Sequence, residues 1–307
     1  MATSFIARTR ESIRELAGEP GVNAKYSDTR LLTWIEKAYA HVLSEFNRRA
    51  ANPLLCRYDL TISGDAEVYQ LPPTIQRVID VRWLDSQGRT QGHMNPRAWW
   101  HPAGPNFLFE GSTLRLDPPI RDGSSYDLRI VYLPSGTVRL HTGTAGTITN
   151  SVSDNQCTIV LDDSPAVGTL DTRPHAYAGS VLRILSATEN DYVQDRIIQA
   201  YDVTTKTATV VPHFDADLVP GGIVTYEIAP PFDETIDLLV ATYVARTIVA
   251  LEGDRNKFEL LTEMWREQLR DLSQQVSYYS ALHEGKGGAT RFAHGRYVQS
   301  YWSHLGR

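Results

Sequence analysis

An α+β fold is predicted from this sequence: a helical bundle with a long C-terminal helix and a small antiparallel sheet, an inserted all-β module (sandwich or barrel), and an extended C-terminal tail. Three observations predict it. Apolar residues recur every three or four positions near both ends of the chain, the pattern of helices with one buried face. From Leu54 to Leu133 the period changes to two, the pattern of half-buried strands. From Pro134-Ser135-Gly136 to Gly222 the chain is rich in Thr, Val, Asp and Gly and carries no helical period at all. The expected domains are a discontinuous α+β core of residues 1–136 and 230–282, a β-module of residues 137–229, and a tail of residues 283–307.

The first helix rests on Ile6, Ile13 and Leu16 and is stopped by Gly18-Glu19-Pro20-Gly21. Ser27 is the expected N-cap of a second helix, Asp28 to Phe46, with Asp28 beside the positive end of its dipole. Leu31, Ile35, Ala38, Val42 and Phe46 form its stripe, and Asn52-Pro53 closes it. In the first β region Ile79, Val81 and Trp83 alternate with Asp80 and Arg82. Phe107 to Phe109 and Leu114 to Leu116 flank Glu110-Gly111-Ser112 as a hairpin, and Tyr126, Leu128, Ile130 and Tyr132 alternate in a further strand. One face of this sheet is expected to pack on the helices.

Short strands at regular spacing follow in the module: Cys157 to Leu161, Val181 to Leu185, Arg196 to Tyr201, Thr207 to Val211 and Ile223 to Ile228. Pro230-Pro231 ends them. Ile236, Val240, Tyr243 and Thr247 then open a long helical pattern from Asp233, interrupted at Gly253-Asp254. Phe258, Leu261, Trp265, Leu269, Leu272 and Val276 carry the stripe onward, and the helix is expected to stop at Ser280 or shortly after.

The tail combines glycines, which resist ordering, with Arg and aromatic residues, which anchor interfaces. Arg291, Phe292, Arg296, Tyr297, Tyr301 and Trp302 are its candidate docking residues. From His283 onward the segment carries a net charge of +3, against −6 for the whole chain, which leaves −9 on the body. Such a segment reads as one that folds on a partner, with packing back on its own domain as the alternative.

Hydrophobic residues at 42% suffice for a large core, and a net charge of −6 offers no global basic field for nucleic acid. Arg8, Arg10 and Glu11 interrupt any N-terminal signal sequence, and the apolar run from Leu238 to Leu251 is too short to span a membrane. A soluble, non-secreted protein is expected. Cys56 and Cys157 match no metal spacing and read as buried thiols rather than a disulfide.

No enzyme is expected, and no catalytic residue, cofactor or metal is assigned. There is no Gly-x-Ser-x-Gly elbow, and Gly285-Lys286 lacks the glycine of a phosphate loop. His283-Glu284 lacks the second histidine of a zinc helix. Asp215 and Asp217 suit local turn hydrogen bonds better than calcium, and Trp99-Trp100 beside His101-Pro102 suit packing better than stacking on a sugar or base.

The arrangement resembles the head-to-tail adaptor (head completion, or connector) proteins of tailed bacteriophages, especially the short-tailed type. Tyr26-Ser27-Asp28-Thr29-Arg30-Leu31-Leu32-Thr33-Trp34-Ile35-Glu36-Lys37-Ala38-Tyr39 is similar to the family's opening helix. The segment from Leu71-Pro72-Pro73 to Trp83 is similar to its first sheet segment. Leu116-Asp117-Pro118-Pro119 and the strand from Tyr126 to Pro134 resemble its last core strand, and the helix from Asp233 to Ser280 completes the likeness. The order of elements is more specific than any one motif, and the insertion departs from the smallest adaptors.

The resemblance implies a virion protein, made in the host cytoplasm and placed at the head–tail interface. Its copies, about a dozen, form a ring below the portal. The C-terminal tail inserts into the portal, and DNA passes through the ring without sequence-specific binding. Implied partners are the portal protein and a tail nozzle or other tail component. The alternative is a tail protein whose β-module binds a tail fibre or a surface glycan. A depolymerase on a β-sandwich is disfavoured, because no carboxylate pair or nucleophile is in evidence.

Overall fold

Ser4 starts the first helix by accepting the backbone N–H of Ala7 on its hydroxyl at 3.1 Å. The computed structural model describes residues 4–19, 25–49, 53–63, 68–85, 89–96, 106–110, 113–117, 125–136, 139–145, 148–151, 156–163, 170–187, 194–214 and 224–284. Helix α1 (Phe5–Ala17) ends at Gly18, whose left-handed φ of 71° lets Glu19 N–H close on Arg14 O at 2.8 Å. Helix α2 (Asp28–Arg49) begins as expected, with Ser27 Oγ accepting the N–H of Arg30 at 3.3 Å. It runs one turn further than its stripe predicts, and Asn47 Oδ1 then takes the N–H of Leu54 at 2.8 Å.

The first sheet contains β1 (Cys56–Ser63), β2 (Val68–Gln70), β3 (Ile75–Leu84), β4 (Thr90–Pro96), β5 (Asn106–Glu110), β6 (Thr113–Asp117) and β7 (Ser125–Pro134). Its order is β1-β7-β3-β4-β5-β6-β2. All pairings are antiparallel except β4 with β5.

The second sheet contains β8 (His141–Ala145), β9 (Ile148–Ser151), β10 (Gln156–Val160), β11 (Val181–Ala187), β12 (Gln194–Asp202), β13 (Thr207–Val211) and β14 (Val224–Ala229), in the order β8-β14-β11-β12-β13-β10-β9. Its two edge strands, β8 and β9, are successive in sequence and separated by residues 146–147 alone. The sheet therefore curls until its edges meet, giving a near-closed barrel. Asp162, just past β10, stitches the seam. It accepts the N–H of Thr144 at 3.3 Å, its carbonyl meets the His141 ring at 2.8 Å, and its own N–H donates to Tyr226 Oη at 2.7 Å. Gly143 faces this seam, where a Cβ would come within 2.7 Å of Asp162 Cβ.

Helix α3 (Asp233–Glu252) ends at Gly253, and Asp254 Oδ1 caps helix α4 (Arg255–Glu284) by accepting the N–H of Lys257 at 3.0 Å.

The predicted helical bundle with a small sheet is not what forms. Among the described residues, fourteen strands in two seven-stranded sheets accompany four helices, so the fold is mostly β. The first sheet is large because polar segments such as Thr90–Pro96 join it as strands through backbone pairing, which needs no apolar alternation. Nor does it lean on the helices. Val81, Leu114, Leu116, Leu128 and Ile130 bury one another in a core of their own. The helical stripes instead bury Leu140, Val181 and Ala229 at the barrel end, and no described strand residue of the first sheet belongs to that helical core.

Candidate functional site

Helix α3 is apolar round most of its circumference: Ile236, Leu239, Val240, Ala241, Val244, Ala245, Ile248 and Val249 are all buried. It fills the middle of the helical layer, against α1, α2 and α4. Helix α4 is one-sided, burying Leu261, Trp265 and Leu269 at a four-residue spacing. Lys257 Nζ fastens its first turn to Ala17 O, at the end of α1, at 2.7 Å.

A cationic aromatic stack joins three of these helices. The Arg246 guanidinium lies 4.7 Å from the Tyr243 ring and 5.0 Å from Trp265. His41 of α2 meets Tyr243 at 4.6 Å and stacks on Trp265 at 6.3 Å. These contacts fix where α4 leaves the body.

α3 has 20 residues and α4 has 30. At about 1.5 Å per residue, α4 is about 15 Å longer than the helix it packs against. The hairpin also leaves large apolar side chains in solvent: Leu251 is 63% exposed, Leu260 64% and Leu238 50%. The hairpin thus combines an overhang with exposed leucines, more apolar surface than a solvated helix pair needs for its own packing.

The sequence-predicted docking residues Arg291, Phe292, Arg296, Tyr297, Tyr301 and Trp302 lie outside the described residues. So do Trp99, Trp100, His101, Asp215 and Asp217. The backbone of α4 includes His283 and Glu284, so the helix extends into the segment expected to be extended tail.

The two cysteines are free, and they sit in different cores: Cys56 in that of the first sheet and Cys157 in that of the barrel. Burial pushes the Cys56 thiol up to about 12 and the Cys157 thiol up to about 11, so neither is a nucleophile at neutral pH. Among the described residues no group of three His, Cys, Asp or Glu is placed to hold a metal ion, and no helix is long and apolar enough to cross a membrane.

Two polar clusters escaped the sequence reading. Glu227 on β14 is wholly buried, ion-paired to Arg183 at 3.2 Å, and Arg183 also holds Asp195 at 2.8 Å. This cluster roots the start of α1 on the barrel. The second gathers Arg57, Asp59 and Arg129 at the edge of the first sheet, beside the barrel. Both depend on cross-strand register, which a sequence does not display. Their only advance signal was charge inside strand-like runs, as in Tyr226-Glu227-Ile228.

Comparison with protein-family models and with curated proteins finds no match to this chain.

Proposed function

We propose that this chain is a structural virion protein, a head-to-tail adaptor whose copies close into a ring that joins the portal to the tail and leaves a channel for DNA. The observation that carries the reading is the α3–α4 hairpin. A 30-residue helix outruns its 20-residue partner and leads directly into residues 285–307, of net charge +4, which hold Arg291, Phe292, Arg296, Tyr297, Tyr301 and Trp302.

A closed ring needs two different complementary faces on each subunit. The hairpin, with exposed Leu251 and Leu260, offers one. The first sheet, with exposed Val68 and Ile79, offers another. Docking of many tails at once multiplies the effect of each contact, so a modest affinity per tail gives a durable joint. The body's charge of −9 suits a conduit, since acidic walls repel phosphates and do not retain DNA. The barrel is left to contact the next tail component, a nozzle or a fibre.

Electron microscopy of the purified chain mixed with a portal protein tests this reading. The expected particle is a stoichiometric ring complex with rotational symmetry about the portal axis. Absence of a complex, together with retention of the chain on cells or on a glycan, would replace it with the tail-protein reading.

A further inference from the structure

Strand β1 is an edge of the first sheet, and a cleft of about 260 Å³ lies between it and strands β12 and β13 of the barrel. Arg57, Tyr58 and Arg129 line it from the first sheet, and Ile197 and Val211 from the barrel. Gln199 Nε2 reaches across to Asp59 O at 3.5 Å.

The charges at its mouth do not balance. Register puts Arg57 and Asp59 of β1, Arg129 of β7, and Asp80 and Arg82 of β3 on one face of the sheet. Asp59 is engaged by two bonds from Arg129, each 2.8 Å. Asp80 is engaged by Arg82 at 2.6 Å and by His93 at 3.2 Å. The Arg57 side chain makes no hydrogen bond or ion pair among the described residues, and its nearest opposite charge is Asp59, already held by Arg129. Arg57 is an exposed residue of the edge strand; partial burial, and then the like charges of Arg129 and Arg82, lower its pKa, while Asp59 acts the other way. A guanidinium does not lose its proton at neutral pH, so an incoming anion would offset the like-charge crowding.

We propose that this cleft is a binding site for a carboxylate carried on an apolar stem, with Arg57 as its counter-ion. Bidentate pairing of guanidinium with carboxylate supplies the orientation. The walls supply the rest of the selection: Ile197 and Val211 present hydrocarbon from the barrel, which a fully hydrated inorganic ion does not match. Because the walls come from both sheets, an occupant bridges them and holds the first sheet against the barrel. The site stands independently of the ring assignment.

The same chemistry is carried by a free organic acid and by a glutamate flanked by apolar residues, so both are tested on the full chain. The probes are benzoate, a blocked Leu-Glu-Leu peptide, the neutral isostere benzamide, and inorganic phosphate. Binding is read by titration calorimetry and by NMR of the arginine side-chain N–H groups. Saturable binding of benzoate or of the peptide is expected, and whichever is tighter names the source.

Arg57→Gln should weaken that binding about tenfold or more, the loss of a charge-assisted hydrogen bond. It should leave the thermal midpoint nearly unchanged or raised, because the Arg57 side chain bonds to no group among the described residues. Val211→Phe, which keeps the arginine and fills the cleft from the barrel side, should also block binding. Equal binding of benzamide and benzoate, phosphate binding that matches or exceeds benzoate, undiminished binding by Arg57→Gln, or no binding of either carboxylate would each overturn the proposal.

Discussion

Glu227 accepts the backbone N–H of Phe5 at 2.8 Å, across 222 residues of chain. The same carboxylate takes the N–H of Ile6 at 3.3 Å and the hydroxyl of Ser4, so a barrel side chain supplies the anion that the positive end of α1 favours. Removing it leaves the amides of Phe5 and Ile6 without this acceptor and takes from Arg183 its buried carboxylate partner, while Asp195 remains. Glu227→Ala should cost about 3 kcal/mol, at the lower end for breaking a buried ion pair because Asp195 remains. Glu227→Gln should cost about 2 kcal/mol, since the amide keeps one acceptor. Urea unfolding gives these values, and amide exchange should accelerate at Phe5 and Ile6. An unchanged midpoint would mean that α1 does not depend on the barrel for its start.

The seam of the barrel yields a second expectation. A methyl at position 143 would sit 2.7 Å from Asp162 Cβ and 2.9 Å from Tyr226 Oη. Both groups are committed to closing the barrel, so neither yields cheaply. Gly143→Ala should therefore cost about 1–3 kcal/mol, the usual range for overpacking. Gly92→Ala is the control, because its methyl would meet only the Trp83 ring at 3.9 Å. Equal thermal midpoints for the two variants would show that the seam is loose.

Stability should fall as the medium is acidified, beginning well above the carboxylate range. Burial lowers the pKa of His141 and of His175 below the ordinary value of 6.5. The folded chain keeps both rings neutral while the unfolded chain takes up protons as pH falls through 6.5. The contribution is thus complete above that pH, shrinks below it, and levels off once the folded rings titrate too. His141→Gln should flatten this decline. Asp171, whose pKa is held down chiefly by its hydrogen bond from Arg173, loses its contribution only at more acid pH, below its ordinary 3.8. Denaturant midpoints measured across this range separate the two. A decline that is the same with and without His141 would remove that residue from the account.

Legibility in the sequence followed the range of the forces. Ser27, Gly18 and Gly253 act within one turn of themselves, so the start of α2, the end of α1 and the break between α3 and α4 could be read directly. The alternation of β12 and β13 was equally plain, because every second residue faces one core. Closure of the barrel was not, since it brings the end of β10 to β8 and β14 through Asp162, a contact between distant strands. Glu227 shows the limit most clearly. In Val224-Thr225-Tyr226-Glu227-Ile228 it reads as a solvated residue on the polar face, yet α1 covers that face and leaves it 0% exposed. The first sheet was underestimated for the same reason: Thr90–Pro96 is polar in sequence and becomes a strand through its neighbours β3 and β5.

Truncation after Glu284 should leave the body folded and abolish attachment to the portal. Among the described side chains of α4, Leu261, Trp265 and Leu269 are the buried apolar ones, at 3%, 6% and 0% exposure, and Leu272 is half-buried. The helical core therefore keeps these contacts when residues 285–307 are removed, and the unfolding free energy should stay within about 0.5 kcal/mol of the full chain's, as for a change outside the core. Binding is a different matter on the proposed adaptor reading, because the candidate aromatic and arginine anchors go with the tail. Loss of one buried aromatic anchor costs about 2 kcal/mol or more per subunit. Many tails acting together mask a single loss. The sharper variant is accordingly the pair Tyr301→Ala and Trp302→Ala in the full-length chain, tested beside Arg291→Ala and Arg296→Ala. Co-sedimentation with portal should fall for both pairs, while sedimentation of the chain alone stays unchanged. If the truncated chain still co-sediments with portal, the hairpin face around Leu251 and Leu260 makes the contact and the tail does not.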